Sequence, residues 1–351
     1  MSAARPEMFA ERFIWGPDTA AACRCVREDT ALLKILLKTR NEHLLIERWL
    51  AHYLNILGAN CRIIVLDNMS TDERVFAAYA RHSDNIILIQ YDGNVDSAHS
   101  PARFGELYGA VRASSGFYAL LDTDEFLCLY DGQSVIRDSR ILSFLQERKE
   151  ATLFPSMYLY NLFGRDDAFF FEPEHLRSYH LDGKPVLNAA VMEKSPPFPV
   201  GHNKDLPVAF FDQAPSGLLL LHMTNLSREQ RIRANMQKLA AFGIIRDEKD
   251  FITVLHADEK EIAIESRRAY VRELRWLLSI ENEQETAKAQ LSRSHVAIAP
   301  DGSVHCIPED LAPAFARHAG PDRPFLELLD PPIAPGTSPT LCLKQALNLE
   351  P

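Results

Sequence analysis

Nowhere in its 351 residues does the sequence hold an apolar run approaching the roughly 18 that a spanning helix needs, so no helical membrane span is expected. Positive charge is also short. Lys and Arg total 38 against 48 Asp and Glu, a formal charge of -10, which disfavours nucleic acid or an anionic membrane as the main partner and leaves only a local basic pocket open. The six cysteines, at 23, 25, 61, 128, 306 and 342, make neither a disulfide framework nor a zinc spacing. Cys23-Arg24-Cys25 is one residue tighter than C-x-x-C, and reduced, cytosolic thiols are the expectation. The stretch Met1-Ser2-Ala3-Ala4-Arg5-Pro6-Glu7 carries acid and lacks an apolar centre, so it does not read as a secretory signal. Without one, the sequons Asn68-Met69-Ser70 and Asn225-Leu226-Ser227 read as coincidence. There is no internal repeat.

What is present centres on Phe117-Tyr118-Ala119-Leu120-Leu121-Asp122-Thr123-Asp124-Glu125-Phe126-Leu127. An apolar run of strand length empties into acids, which places Asp122 and Asp124 where a buried strand meets solvent. Residues two apart on an extended segment face one side, so both carboxylates can reach one hard divalent cation, with Thr123 facing away. A lone Asp-x-Asp is weak evidence, because about one arises by chance in a chain of this size. Its place after a strand, where unbalanced carboxylates would repel, strengthens it.

In chain order, residues 1–30 show no sustained period and read as an irregular arm. A strand is expected over 31–39, a turn at Thr39-Arg40-Asn41-Glu42, and a helix through Leu44, Leu45, Trp49, Leu50, Tyr53, Leu54 and Leu57 to Gly58. A strand at 61–66 runs into Asp67-Asn68-Met69-Ser70-Thr71-Asp72, whose Ser70, Thr71 or Asp72 can cap a helix reaching about Arg81. A third strand at 85–91, a helix over 101–114 and the strand ending at Asp122 complete a βαβ series, mostly parallel, within the first 130 residues. Beyond it, the pattern predicts a helix at 139–148, an aromatic strand at 151–162 and a loop-rich tract at 163–217. A strand at 218–221 then ends at His222, and a helix over 227–245 is capped by Ser227. Residues 259–282 carry a helical stripe expected to face the chain's own core, 296–307 read as a hairpin around Asp301-Gly302, and a Pro-rich tail follows from 329.

Three motifs in order, Lys38-Thr39-Arg40-Asn41-Glu42 with Glu47-Arg48-Trp49-Leu50-Ala51-His52-Tyr53, then Leu66-Asp67-Asn68-Met69-Ser70-Thr71-Asp72, then Leu121 to Leu127, resemble the GT-A glycosyltransferases of the family-2-like and family-92 (DUF23) group. The resemblance continues faintly in Phe163-Gly164, Gly183-Lys184-Pro185-Val186, Gly201-His202, and Leu221-His222 followed by Ser227 and Lys238, and spans about residues 31–240. The family's usual Trp before the acidic motif is Phe117 or Tyr118 here.

The resemblance implies an α/β GT-A fold, a mixed sheet flanked by helices. A nucleotide-sugar half would occupy 31–130, an acceptor half 131–245, and a helical extension 246–328. It also implies transfer of a hexose from a nucleotide-diphosphate sugar, a UDP-sugar in the first place, to a hydroxyl of a glycan or glycolipid, with inversion and with Mn2+ or Mg2+. Such a chain is expected in the cytoplasm, meeting any lipid-linked acceptor at the membrane surface.

On this reading Asp122 and Asp124 hold the cation, with Glu125 an acid beside them that acts or merely orients the turn. Thr39, Arg40, Asn41, Glu42, Asp67, Asn68 and Ser70 flank the nucleotide at the sheet's carboxyl edge, Asp67 being equally suited to structuring the helix entry. Arg103 and Lys184 can meet phosphate or remain solvated. A distant His completes the metal site in GT-A enzymes, His222 being the first choice and His202 the second. The base is one of Glu174, Glu193 and Asp205. Two rivals stay open: a non-catalytic carbohydrate-binding or scaffold protein on the same fold, and a nucleotidyltransferase, which would want glycine in the turn at 39–42.

Overall fold

The computed structural model describes residues 11–130, 135–161, 169–170, 183–190, 201–206, 217–245, 248–258, 260, 262, 265–281, 286, 297–298 and 304–305. The described chain opens on a short strand β1 (Arg12–Ile14) and a helix α1 (Thr19–Glu28). It then alternates β2 (Leu33–Thr39), α2 (Ile46–Leu57), β3 (Cys61–Asp67), α3 (Glu73–Arg81), β4 (Ile86–Gln90), α4 (Pro101–Ser114) and β5 (Phe117–Leu121). These strands pair in parallel in the order β1-β4-β3-β2-β5. Burial on both faces explains why β2 is apolar almost throughout rather than alternating.

Leu33, Ile35 and Leu37 pack on one face with Trp49 and Tyr53 of α2 and Val75 and Tyr79 of α3. Leu36, Ile64 and Ile87 pack on the other with Val26 of α1 and Phe104, Leu107 and Val111 of α4. Lys34 is fully buried, and its Nζ donates to the carbonyls of Asp29 (2.7 Å) and Ser114 (2.6 Å), tying the ends of α1 and α4 to the sheet.

The second half joins the same sheet. After β5 come β6 (Glu125–Tyr130), β7 (Val135–Ile136), α5 (Arg140–Glu147), β8 (Leu153–Asn161), β9 (Phe169–Phe170), β10 (Pro185–Asn188) and β11 (Leu218–His222). The order continues β5-β10-β8-β11-β6-β7, so β10 crosses back to β5 while β6 pairs with β11. Only β8 and β11 are parallel in this part. The sheet is mixed, with helices on its faces. α6 (Arg228–Ala241), α7 (Glu248–His256) and α8 (Glu265–Ser279) follow, with their own apolar cluster of Leu239, Val254, Val271 and Leu274. β12 (Ala297–Ile298) and β13 (Val304–His305) pair antiparallel as the Asp-Gly hairpin requires.

Two expectations are corrected, the irregular N-terminal arm and the bounds of the helical stripe. Residues 11–30 are not irregular: β1 extends the sheet beside β4, and α1 packs on the sheet through the small residues Ala22, Cys23 and Val26, whose size hides the period. The acids at 122–124 are followed directly by a strand the sequence pattern did not mark, β6, which pairs with β11. The helical stripe over 259–282 starts only at Glu265, and α7 precedes it. Of the three cap candidates after β3 the structure uses Asp72, as the sequence allowed, its Oδ1 accepting from Arg74 N at 2.9 Å. Of the loop-rich tract, residues 163–168, 171–182 and 191–200 lie outside the described residues, as does the tail from 329.

Candidate active site

Asp122, Thr123 and Asp124 form the tight connection from β5 into β6, closed by Glu125 N donating to Asp122 O at 3.1 Å. The turn is held from behind by α2. Trp49 and Tyr53, four apart and therefore on one helix face, both donate to Glu125 O at 2.9 Å, and the Tyr53 hydroxyl accepts from Leu127 N at 2.8 Å. His52 Nε2 adds a contact to Leu127 O at 2.9 Å.

Glu125 is 1% exposed and its carboxylate is fully engaged. Oε1 accepts from the Tyr158 hydroxyl at 2.5 Å, while Oε2 takes Asp122 N and the Lys184 ammonium, both at 2.8 Å. Burial raises its pKa, with Lys184 opposing. Its geometry is that of a turn organiser.

Lys184 is 2% exposed and bridges Asp122 Oδ2 (2.6 Å) and Glu125. It is no solvated surface cation, and its ammonium is occupied by the two acids. Burial alone would lower its pKa, but Asp122 and Glu125 raise it; Asp122, partly exposed, is held well below the usual carboxylate range chiefly by Lys184. Gly183 makes the approach possible: at φ +135° a Cβ there would lie 1.8 Å from Ser156 O. Ser156 in turn bonds Lys184 O through both its N–H and its hydroxyl.

His222 ends β11 opposite Glu125 in register. Its Nε2 lies 3.5 Å from Asp124 Oδ2, and its ring stacks on Tyr158 with centroids 4.4 Å apart. Its buried Nδ1 has no hydrogen-bond partner among the described residues. Burial pushes Asp124 upward, but His222 and then Lys238 hold it at about 2. His202 instead faces Asp205 at 3.8 Å, and burial and Lys184 lower its pKa to about 4.

Among the described residues no three acidic, His or Cys side chains converge as a ready cation cage. Asp124 and His222 do approach as an oxygen and nitrogen pair, the number of protein ligands that suits Mn2+ or Mg2+ shared with phosphate. The donor set fits such a cation, with Asp122 turned toward Lys184.

These groups floor a cleft of about 670 Å³ at the carboxyl ends of β2 and β5. One wall is Lys38, Thr39, Arg40, Asn41 and Glu42, and the other is Arg231, Lys238 and Phe242 with Tyr270 and Glu273 of α8. Glu42 is half-buried and its pKa is raised by burial, with Lys238 opposing and Asp124 adding. Asn41 holds a left-handed backbone (φ 55°), which Asn tolerates, and its Oδ1 accepts from Thr71 N (2.8 Å) and Asp72 N (3.0 Å).

The second turn is support rather than lining. Asp67 is fully buried and accepts from Ser70 N (2.8 Å) and the Tyr79 hydroxyl (3.2 Å). Asn68 Nδ2 donates to Tyr91 O and Gly93 O at 3.1 Å, its Oδ1 accepts from Arg40, and Ser70 Oγ accepts from Asn41 N. Arg103 pairs with Asp92 at 2.8 Å and lies over the Tyr91 ring, away from the cleft lining. Both sequon amides are buried and donated, Asn225 Nδ2 to Asn161 O at 2.7 Å. Sequence reasoning gave no role to Tyr158, Arg231, Tyr270 or Glu273. The Trp49 and Tyr53 spacing was the one visible signal for a brace behind the turn.

No family model matches the sequence, and no curated protein matches it. Among solved structures the chain is similar to a mannosyltransferase from Pyrobaculum calidifontis in complex with GDP-Man and Mn2+, at 14% identity over 78% of this chain and 80% of that chain, with a TM-score of 0.35. It is also similar to glucosyl-3-phosphoglycerate synthase from Mycobacterium tuberculosis in complex with Mn2+, UDP and glucosyl-3-phosphoglycerate, at 18% identity, covering 70% and 88%, TM-score 0.34. A third is residues 1–349 of TarS from S. aureus, at 12% identity, covering 79% and 97%, TM-score 0.34.

Proposed function

We propose that the chain is a metal-dependent glycosyltransferase of the GT-A kind, moving a hexose from a nucleotide-diphosphate sugar to a hydroxyl of a glycan or glycolipid with inversion. The observation that carries this reading is the Asp124–His222 pair, 3.5 Å apart on the floor of a cleft at the carboxyl edge of the parallel strands. Lys38, Arg40 and Lys238 stand around it, the charge a diphosphate seeks.

Asp124 and His222 would hold Mn2+ or Mg2+, with Asp122 beside them; bound there, the cation supplies positive charge to the leaving diphosphate. The wall from Thr39 to Glu42 receives the nucleotide in this reading, while Asp67, Asn68 and Ser70 keep that wall in shape. Glu125 and Lys184 orient the acid turn, and neither meets substrate. Rate enhancement comes from charge stabilisation and from aligning the acceptor hydroxyl with the anomeric carbon. The hydroxyl's proton needs a carboxylate. Asp205, on the turn at 203–205, is the one of the three expected bases within the described residues.

The test is calorimetric titration of a nucleotide-sugar panel with and without MnCl2, on wild type and Asp124→Asn, with donor hydrolysis followed in parallel. Manganese-dependent binding of one donor, weakened at least about tenfold in the variant, is expected from loss of a charged ligand. A folded protein that binds no donor in either condition would overturn the reading.

A further inference from the structure

We propose that Lys238, carried by α6 and seated on the Tyr270 ring of α8, binds the diphosphate of the donor, so that the C-terminal helices form one wall of the donor site. The inference rests on the glycosyltransferase reading and assigns to residues beyond 245 a role that reading leaves empty.

The first ground is placement. Lys238 lines the cleft on the wall facing Glu42, and the charges it feels are Asp124 first, then Glu42, then Asp122 after Tyr270. An ammonium there stands over the space between the acid turn and the nucleotide wall. That is where phosphates bridged to a cation on Asp124 and His222 would lie.

The second ground is how the side chain is held. A lysine stem has four rotatable bonds and costs entropy to fix. Here the ammonium sits 5.4 Å from the Tyr270 centroid, Tyr270 stacks on Phe242 at 5.9 Å and 30°, and Arg267 lies 5.0 Å from the Phe242 centroid. This column of cation, ring, ring and cation runs between α6 and α8, whose Leu239, Val271 and Leu274 share a core. The segment leading into α6 is anchored to the acid turn by Met223 N, which donates to Asp124 O at 2.7 Å; Arg231 of α6 donates to Asn225 Oδ1 at 2.8 Å, and Asn225 exchanges three hydrogen bonds with Asn161. The ammonium is thus indexed to the floor of the cleft.

The third ground is contrast with the neighbouring cations. Lys184 is bound by Asp122 and Glu125, and Arg231 is bound by Asn225 and Glu273. Lys238 differs: among the described residues no carboxylate oxygen lies within 4.0 Å of it, although carboxylates hold its pKa up against burial. A charge kept on and left without a short ion pair is placed to meet an incoming anion. A structural counter-ion would instead be closed onto Asp124 or Glu42.

The test uses the full chain with MnCl2 and compares UDP with UMP, and GDP with GMP, by calorimetry. Lys238→Met is expected to weaken the preferred diphosphate roughly ten- to a hundredfold and the matching monophosphate less than about threefold, the size of a lost charge-assisted bond. Lys238→Arg should recover most of the gap. Tyr270→Leu, which keeps the cation and removes its seat, should lie between. Lys238→Gln is the second variant if the apolar one does not fold. If wild type binds a diphosphate and the folded variants bind it within about twofold, Lys238 is only an internal counter-ion and the inference falls alone. If wild type binds neither diphosphate, it falls together with the donor reading.

Discussion

Lys184 Nζ lies 2.8 Å from Glu125 Oε2 with both side chains almost wholly excluded from solvent, and the same ammonium reaches Asp122 at 2.6 Å. One buried cation therefore sets the charge of the acid turn. Lys184→Met leaves two carboxylates unbalanced and should cost about 3–5 kcal/mol in urea unfolding. The double variant Lys184→Met, Glu125→Gln should recover part of that loss, because one of the two unbalanced carboxylates, the buried one, has gone. An additive cycle would mean that the pair does not interact energetically.

The Tyr53 hydroxyl both donates to Glu125 O and accepts from Leu127 N, in a fully buried site. Tyr53→Phe strands the buried Leu127 N, while Glu125 O keeps its bond from Trp49, and should destabilise by about 2–3 kcal/mol. Trp49→Phe leaves Glu125 O its bond from Tyr53 and should cost nearer 1 kcal/mol. The ratio of the two denaturation midpoints checks the brace. Equal losses would say that side-chain volume dominates.

Gly183→Ala meets two penalties at once, a φ of +135° and a Cβ 1.8 Å from Ser156 O. A loss above about 2 kcal/mol is expected, with a drop in manganese binding because Lys184 is displaced from Asp122. An alanine variant with wild-type Tm would mean that the β8–β10 approach is looser than 1.8 Å implies.

His52 packs edge-on against Tyr53 and Phe126, and burial, with Arg137 and Arg48 adding, lowers its pKa from 6.5 to about 4. Below pH 6.5 the unfolded chain therefore binds a proton that the folded chain refuses. Stability from this group is complete above that pH and is lost as pH falls toward 4, by roughly 3 kcal/mol in all. His52→Gln, which can still donate to Leu127 O, should flatten the acid limb of unfolding free energy between those pH values. An unchanged limb would assign the acid sensitivity to other groups.

The parallel sheet was legible because each of its strands and helices carries its own pattern. β3 is β-branched, α4 runs from Pro101 to Ser114 where the pattern set it, and Gly58 ends α2 with a φ of 57°. The first strand and helix were not legible, since Ala22 and Cys23 bury too little area to mark a face. At the site, local chemistry put acids at a strand end and His222 at another. That Asp67 is buried and bonded to Ser70 N and the Tyr79 hydroxyl could not be read, because a turn of this kind serves an exposed aspartate equally well.

The sequence by itself determined the alternation of strands and helices, the βαβ order and the position of Asp122 and Asp124 at the end of β5. These follow from backbone propensity and side-chain period within a few residues. Tertiary structure alone decided which charges meet. Lys184 comes to Asp122 from 62 residues away and Tyr158 to Glu125 from 33, and β10 must cross back beside β5 before the first can happen. Opposite charges attract without regard to chain distance, and burial multiplies the attraction, so the pairing is fixed only once the sheet has brought the strands together.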